Sequence, residues 1–126
     1  MRLYFNQFLK INKLKRTLNK ITMKTEKINF SYEVPMCSVY GSIENNMALS
    51  ITTNFIGYTY SCQRIGENAI QQRLSKGDLE AVIEYSFFDT TLIIGEVSGT
   101  PKKAIKLCEE LESLLDSLIE EMWYYE

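Results

Sequence analysis

The sequence predicts an α+β protein in which a single antiparallel sheet of five or six strands packs against a long C-terminal helix. From Pro101 to about Trp123, apolar residues recur every three or four positions, which indicates an amphipathic helix. In Lys27–Val34 and Leu79–Phe88, apolar and polar residues alternate, which indicates half-buried strands. Because the helical stripe is broader than a coiled-coil seam, it needs a flat cover, and a sheet provides one.

The C-terminal helix has clear start signals. Thr100 suits the N-cap, and Pro101 suits the first helical position, where a missing N–H costs nothing. The predicted buried stripe consists of Ala104, Cys108, Leu111, Leu115, Leu118 and Met122, and it is widened by the flanking residues Ile105, Leu107, Leu114 and Ile119. We expect the opposite face to be acidic and exposed, including Glu109, Glu112, Asp116 and Glu120.

The remaining elements rest on shorter patterns. We predict strands at Lys27–Val34, Cys37–Glu44, Met47–Thr53, Leu79–Phe88 and Leu92–Ser98, an ambiguous strand at Asn54–Cys62, and a short helix at Gly66–Lys76. A turn is expected at Glu44–Asn46, and Gly77 suits the position after the short helix. With an N-terminal helix, the predicted order is α-β-β-β(-β)-α-β-β-α.

The N-terminal part differs sharply in charge from the rest. Residues 1–27 hold eight basic residues and one acidic residue, whereas residues 28–126 hold six basic and fifteen acidic residues. We interpret residues 1–26 as a basic amphipathic helix or extension, and residues 27–126 as a single α+β domain. The basic segment is expected to dock on the acidic domain or a second copy, to bind an anionic membrane or nucleic acid, to direct targeting, or to precede a start at Met23.

Composition excludes several classes of function. The chain has no histidine, so neither a Ser-His or Cys-His nucleophile nor a histidine metal site can form. The three cysteines are far apart and form no CxxC pair, so we expect reduced thiols in the cytoplasm and neither a metal nor a cofactor. We find no apolar run long enough to span a bilayer and no signal-peptide pattern. The sequence therefore predicts a non-enzymatic cytoplasmic protein.

Two charged sets are candidate sites. Ser98, Gly99, Thr100, Lys102 and Lys103 are candidates for an anion site at a helix start, where backbone N–H groups and ammonium groups converge. The alternative is a solvated helix start. The carboxylates of Glu109, Glu112, Asp116 and Glu120 are candidates for a row that imitates phosphates and blocks a nucleic-acid-binding enzyme. The alternative is a solvated helix face.

Aromatic residues are more numerous than a small core needs. Those that we cannot all place inside are Tyr40, Tyr58, Tyr60, Phe88, Trp123, Tyr124 and Tyr125. Because residues 28–126 are acidic, we do not expect nucleic acid to stack on them. Trp123, Tyr124 and Tyr125 are expected to form a contact patch within the chain or between copies.

The predicted element order and the acidity resemble those of the small, acidic, dimeric type III secretion chaperones. That resemblance implies a homodimer that holds an extended segment of a partner, although the basic first helix departs from it. Fold order alone does not establish function. We therefore expect first a homodimeric protein-interaction module that binds another polypeptide through its sheet and aromatic surface. Second is a nucleic-acid-mimicking inhibitor, and third is a small anion-binding domain.

Overall fold

The computed structural model describes residues 26–35 and 43–124, with side chains as far as Glu121. Within these residues the chain forms five strands and two helices. In chain order they are β1 (Glu26–Pro35), α1 (Ile43–Asn54), β2 (Thr59–Gly66), β3 (Ala69–Lys76), β4 (Leu79–Phe87), β5 (Thr90–Gly99) and α2 (Pro101–Tyr124). Neither described helix combines enough length with enough apolar residues to cross a membrane.

The five strands form one antiparallel sheet in the order β1-β5-β4-β3-β2. Strands β2 to β5 are consecutive hairpins, and β1 joins the far side of β5. Gly77 has a φ of 62°, which suits glycine in the two-residue turn between β3 and β4. The described sheet therefore ends in β1 on one side and in β2 on the other.

One face of the sheet, here called the inner face, carries the core. Alternate residues of β1 and β4 are buried there, since side chains on a strand point to opposite faces in turn. Both helices pack on this face. The core between the sheet and the two helices includes Ile28, Phe30, Met47, Ile51, Leu74, Ile83, Ile93, Leu107, Leu111, Leu115 and Ile119.

The C-terminal helix is confirmed, with small changes to its buried stripe. The N–H of Ala104 donates to the carbonyl oxygen of Thr100 at 2.8 Å, so the helix begins as predicted. Leu107 and Ile119 are almost completely buried, whereas Leu118 is only half-buried. Glu112, which was expected in solvent, is fully buried. That part of the prediction is wrong.

The single antiparallel sheet and the strands near Lys27–Val34, Leu79–Phe88 and Leu92–Ser98 are confirmed. The predicted element order is wrong. The predicted strand Met47–Thr53 and turn Glu44–Asn46 both lie in helix α1, and the predicted helix Gly66–Lys76 is strand β3 with its preceding turn.

One further prediction agrees only in part, and several others fall outside the described residues. The ambiguous strand at Asn54–Cys62 overlaps β2, which begins only at Thr59. The predicted N-terminal helix, the residues 37–42 of a predicted strand, and Met23 lie outside the described residues. Because the observed order differs, the resemblance to type III secretion chaperones loses the element order on which it rested.

Candidate functional site

Strand β2 is the most open element of the described fold. It forms one border of the sheet and pairs only with β3 in the described part of the chain. Seven of its eight residues are exposed, and Tyr60 alone is half-buried. We call the free backbone side of this strand the β2 edge.

The direction of the backbone groups at the β2 edge follows from the hydrogen bonds of the sheet. Phe87 N–H donates to the carbonyl oxygen of Asn68 at 2.8 Å, so even-numbered residues of β3 bond to β4. Antiparallel bonds alternate along a strand, so the odd-numbered residues of β3 bond to the odd-numbered residues of β2. The backbone N–H and C=O groups of Tyr60 and Cys62 therefore point away from β3, in the plane of the sheet, at the β2 edge.

The outer face of the sheet holds a polar cluster next to β2. Gln63 Nε2 donates to Gln71 Oε1 at 3.3 Å, and Gln71 Nε2 donates to Glu84 Oε1 at 2.9 Å. Arg73 Nε donates to Gln71 Oε1 at 3.0 Å, and an Arg73 nitrogen lies 3.6 Å from a Glu80 oxygen. These bonds hold the three strands β2, β3 and β4 together at their outer surface.

Farther along the outer face, two large apolar side chains of β5 are exposed. Leu92 is 38% exposed and Ile94 is 47% exposed. Leu92 lies opposite Glu33 of β1, and Ile94 lies opposite Glu84 of β4. Glu96 follows on the same face and is exposed. The outer face therefore carries a small apolar patch with carboxylates around it.

A groove lies between the β3–β4 turn and the start of α2. It has a volume of about 450 Å³ and is lined chiefly by Tyr58, Lys76, Asp78, Lys103, Lys106 and Glu110. Lys76 Nζ lies 5.3 Å from the centre of the Tyr58 ring. Burial, and less strongly the Glu110 carboxylate, raises the pKa of Tyr58. We call this feature the lysine groove.

The predicted anion site divides into two parts in the structure. Ser98 and Gly99 end β5, and Thr100 connects them to the helix. Lys102 and Lys103 are both exposed in the first turn of α2, but only Lys103 lines the lysine groove. The structure thus joins Lys103 to two lysines that the helix-start prediction did not include.

The predicted acidic row is interrupted. Glu109 and Glu120 are exposed, and Asp116 is half-buried with its Oδ1 accepting a hydrogen bond from the Tyr32 hydroxyl at 3.2 Å. Glu112 is fully buried, and the thiol of Cys108 donates to its Oε1 at 3.5 Å. Because Glu112 is not on the surface, these four carboxylates do not form a continuous exposed row.

Only part of the predicted aromatic surface lies within the described residues. Tyr58 and Tyr60 pack against the core, and burial together with the nearby Cys62 raises the pKa of Tyr60 to about 12. Phe88 is 71% exposed. Tyr40, Tyr125 and the side chains of Trp123 and Tyr124 lie outside the described part, so the predicted contact patch stays a prediction.

Sequence reasoning missed both the β2 edge and the lysine groove. Both were missed for the same reason. The sequence pattern predicts a helix at Gly66–Lys76, so the predicted sheet lacks β3 and the turn that follows it. The sequence Lys76-Gly77-Asp78, between two alternating segments, was the available signal for a hairpin.

Comparison of the chain with protein-family models, with curated proteins and with solved structures finds no match in any of the three. Its fold and its surfaces are therefore the basis for a functional proposal.

Proposed function

We propose that this protein is a non-enzymatic protein-interaction module that forms a homodimer through the β2 edge and binds another polypeptide on its sheet. The observation that carries the proposal is the open strand β2, with seven of eight residues exposed. An unpaired strand edge presents free N–H and C=O groups, which readily pair with another strand. The absence of histidine from the sequence supports a role that does not depend on imidazole chemistry.

The two borders of the sheet differ in how well they resist strand addition. Strand β1 carries Lys27, Glu33 and a terminal Pro35, and charges and proline are typical of protected edges. The first five residues of β2, Thr59 to Gln63, carry no charge. This contrast favours β2 as the strand that a partner covers.

A second copy fits the β2 edge by symmetry. Two β2 strands can pair antiparallel about a twofold axis at Cys62, because the outward-pointing residues are then opposite each other. In that register Cys62 faces its own equivalent, and Tyr60 lies opposite the partner's Arg64, with which it can form a cation–π contact. The two sheets would become one continuous sheet of ten described strands.

The outer face offers a surface for the other polypeptide. The exposed side chains of Leu92 and Ile94, with Glu33, Glu84 and Glu96 nearby, match an extended segment that alternates apolar and basic residues. Apolar burial would provide affinity, and the carboxylates would provide charge selectivity.

Light scattering coupled to size exclusion tests the dimer. We expect the mass of two chains for the wild type and for Cys62→Ala, which keeps the backbone N–H. Cys62→Pro removes an outward N–H without removing a bond to β3, so we expect a folded monomer. Cys62→Glu places two carboxylates together across the axis and is also expected to be monomeric.

Circular dichroism must show that each variant is folded. A monomeric wild type, or folded Cys62→Pro and Cys62→Glu proteins that remain dimeric, would contradict pairing through β2.

A synthetic peptide of alternating lysine and valine tests the outer face separately. We expect it to bind the wild type, and we expect Ile94→Ser to weaken binding by several-fold because apolar contact is lost. A peptide of alternating glutamate and valine is the matched control. Equal binding of both peptides, or unchanged binding by Ile94→Ser, would contradict this part of the proposal.

A further inference from the structure

The lysine groove concentrates positive charge in an acidic part of the chain. Residues 28–126 contain six basic residues and fifteen acidic ones. Three of the six basic residues, namely Lys76, Lys103 and Lys106, line this one groove, whereas only two of the fifteen acidic residues do. The local excess of positive charge thus opposes the charge of the surrounding domain.

Two separate parts of the fold, the end of β3 and the start of α2, bring these three lysines together. Lys76 ends β3 directly before the Gly77-Asp78 turn, and Lys103 and Lys106 are three residues apart on α2, which places them on one side of the helix. Lys76 also lies over the ring of Tyr58, which limits the directions that its side chain can take.

The three ammonium groups are available to a ligand. Among the described residues none of them is within 4.0 Å of a carboxylate oxygen, in contrast to Arg73 with Glu80. Mutual repulsion among the three lysines favours an anion with more than one charge, because such an anion can attract several of them at once. The nearby acids Asp78 and Glu110 reduce the positive charge of the groove but do not cancel it.

We propose that the lysine groove binds a small phosphorylated molecule that carries more than one negative charge. Lysine is a common phosphate ligand, and three lysines that line one groove provide contacts for a di- or polyphosphate. The volume of about 450 Å³ lies in the range of small-molecule sites, so a nucleoside or sugar phosphate fits by size. This site does not depend on pairing through β2.

Thermal unfolding at constant ionic strength tests the proposal. Inorganic pyrophosphate and a nucleoside diphosphate should raise the melting temperature of the wild type, by roughly 3–6 °C at about ten times the dissociation constant. The double variant Lys103→Gln with Lys106→Gln should lose most of this shift, and Lys76→Gln should reduce it. Isothermal titration calorimetry with pyrophosphate should give the same order of affinity.

Lys102→Gln is the matched control, because Lys102 is an exposed lysine in the same helical turn but does not line the groove. It should keep nearly the whole shift. An equal loss in Lys102→Gln, or the absence of any shift in the wild type, would overturn the proposal. An equal shift with malonate would overturn the assignment to phosphorylated ligands.

Discussion

The hydroxyl of Tyr85 donates a hydrogen bond to Oε1 of Gln72 at 2.6 Å, and both side chains are fully buried on the inner face. Gln72 Nε2 in turn donates to the carbonyl oxygen of Glu44 at 2.8 Å. Burial, and then the charge of Glu44, raises the pKa of Tyr85 well above its ordinary value, so the phenol stays protonated as a donor. One glutamine thereby connects β3 to both β4 and α1.

Replacement of Tyr85 by phenylalanine should destabilise the protein. Tyr85→Phe leaves Gln72 Oε1 buried without its donor, and such a loss costs about 1–3 kcal/mol. Urea denaturation measures the change in the free energy of unfolding.

A double-mutant cycle provides the control for this prediction. Gln72→Leu should cost less in the Tyr85→Phe background than in the wild type, because the acceptor left without its donor is removed with it. Strictly additive effects would contradict a direct energetic coupling between the two side chains.

Gly95 should not tolerate a side chain. A Cβ atom at Gly95 would overlap the ring of Phe30 on the neighbouring strand β1, and that ring is only 2% exposed and has little room to move. Gly95→Ala is expected to cost about 3 kcal/mol or more, at the upper end of overpacking effects. Chemical denaturation gives the value.

Gly66→Ala is the matched control, because a Cβ atom there would lie 3.7 Å from the Cβ of Ala69, an ordinary contact. Its effect should stay within about 0.5 kcal/mol. Partial rescue of Gly95→Ala by Phe30→Leu would confirm that the ring causes the loss, and no rescue would argue against it.

The errors in predicting the fold have a physical explanation. Ile43, Met47 and Ile51 are spaced by four, which fits both one face of a helix and alternate positions of a strand. In a strand, Leu49 would lie on the same face as Met47 and Ile51, whereas in a helix it lies on the opposite side. It is 67% exposed on α1, as expected for the helix. In contrast, Leu79–Phe87 and Pro101–Tyr124 each show enough repeats of one period to be predicted correctly.

The sequence pattern does not predict strand β3, because a polar residue occupies one of its core positions. Its inward residues are Ile70, Gln72 and Leu74, so the glutamine breaks the apolar alternation that predicts a strand. The partners that make a buried glutamine tolerable, Tyr85 and Glu44, come from distant parts of the chain. The lysine groove is equally non-local, because Lys76 and Lys106 meet only after β3, β4 and α2 are placed.

Glu44 should make stability depend on pH. Burial raises its pKa above the ordinary value of 4.5, and its Oε2 is buried without a hydrogen-bond partner in the described part of the chain. As pH rises above the ordinary value, the unfolded chain loses this proton first. Stability therefore falls through the interval up to the raised pKa and stays lower above it.

Glu44→Gln removes this ionisation, so the variant should melt at a higher temperature than the wild type at pH 7. At about pH 4 the difference should shrink, because the wild-type carboxyl is then largely protonated in both states. Glu67→Gln, which removes a carboxylate at an exposed position, is the control variant. A gain that is the same at both pH values would show that the ionisation of Glu44 is not its source.

Cys62 provides a direct chemical test of the proposed β2 pairing. It is an exposed free thiol at the centre of β2, whereas Cys108 is fully buried. Residues directly opposite in an antiparallel pair have Cα atoms only about 4.5–5.5 Å apart, so a short bis-maleimide can bridge two Cys62 side chains. We therefore expect a covalent dimer from the wild type and none from Cys62→Ser, which keeps Cys37 and Cys108.

Adding Thr53→Cys to Cys62→Ser places an exposed thiol on α1 instead, outside strand β2. It should react with a single maleimide but should not yield the covalent dimer. Efficient cross-linking of this control, or of Cys62→Ser alone, would place the contact elsewhere. If light scattering shows a dimer that the reagent does not link through Cys62, the copies associate through another surface. A twofold axis at Cys62 would place the two thiols close enough for the reagent to link them.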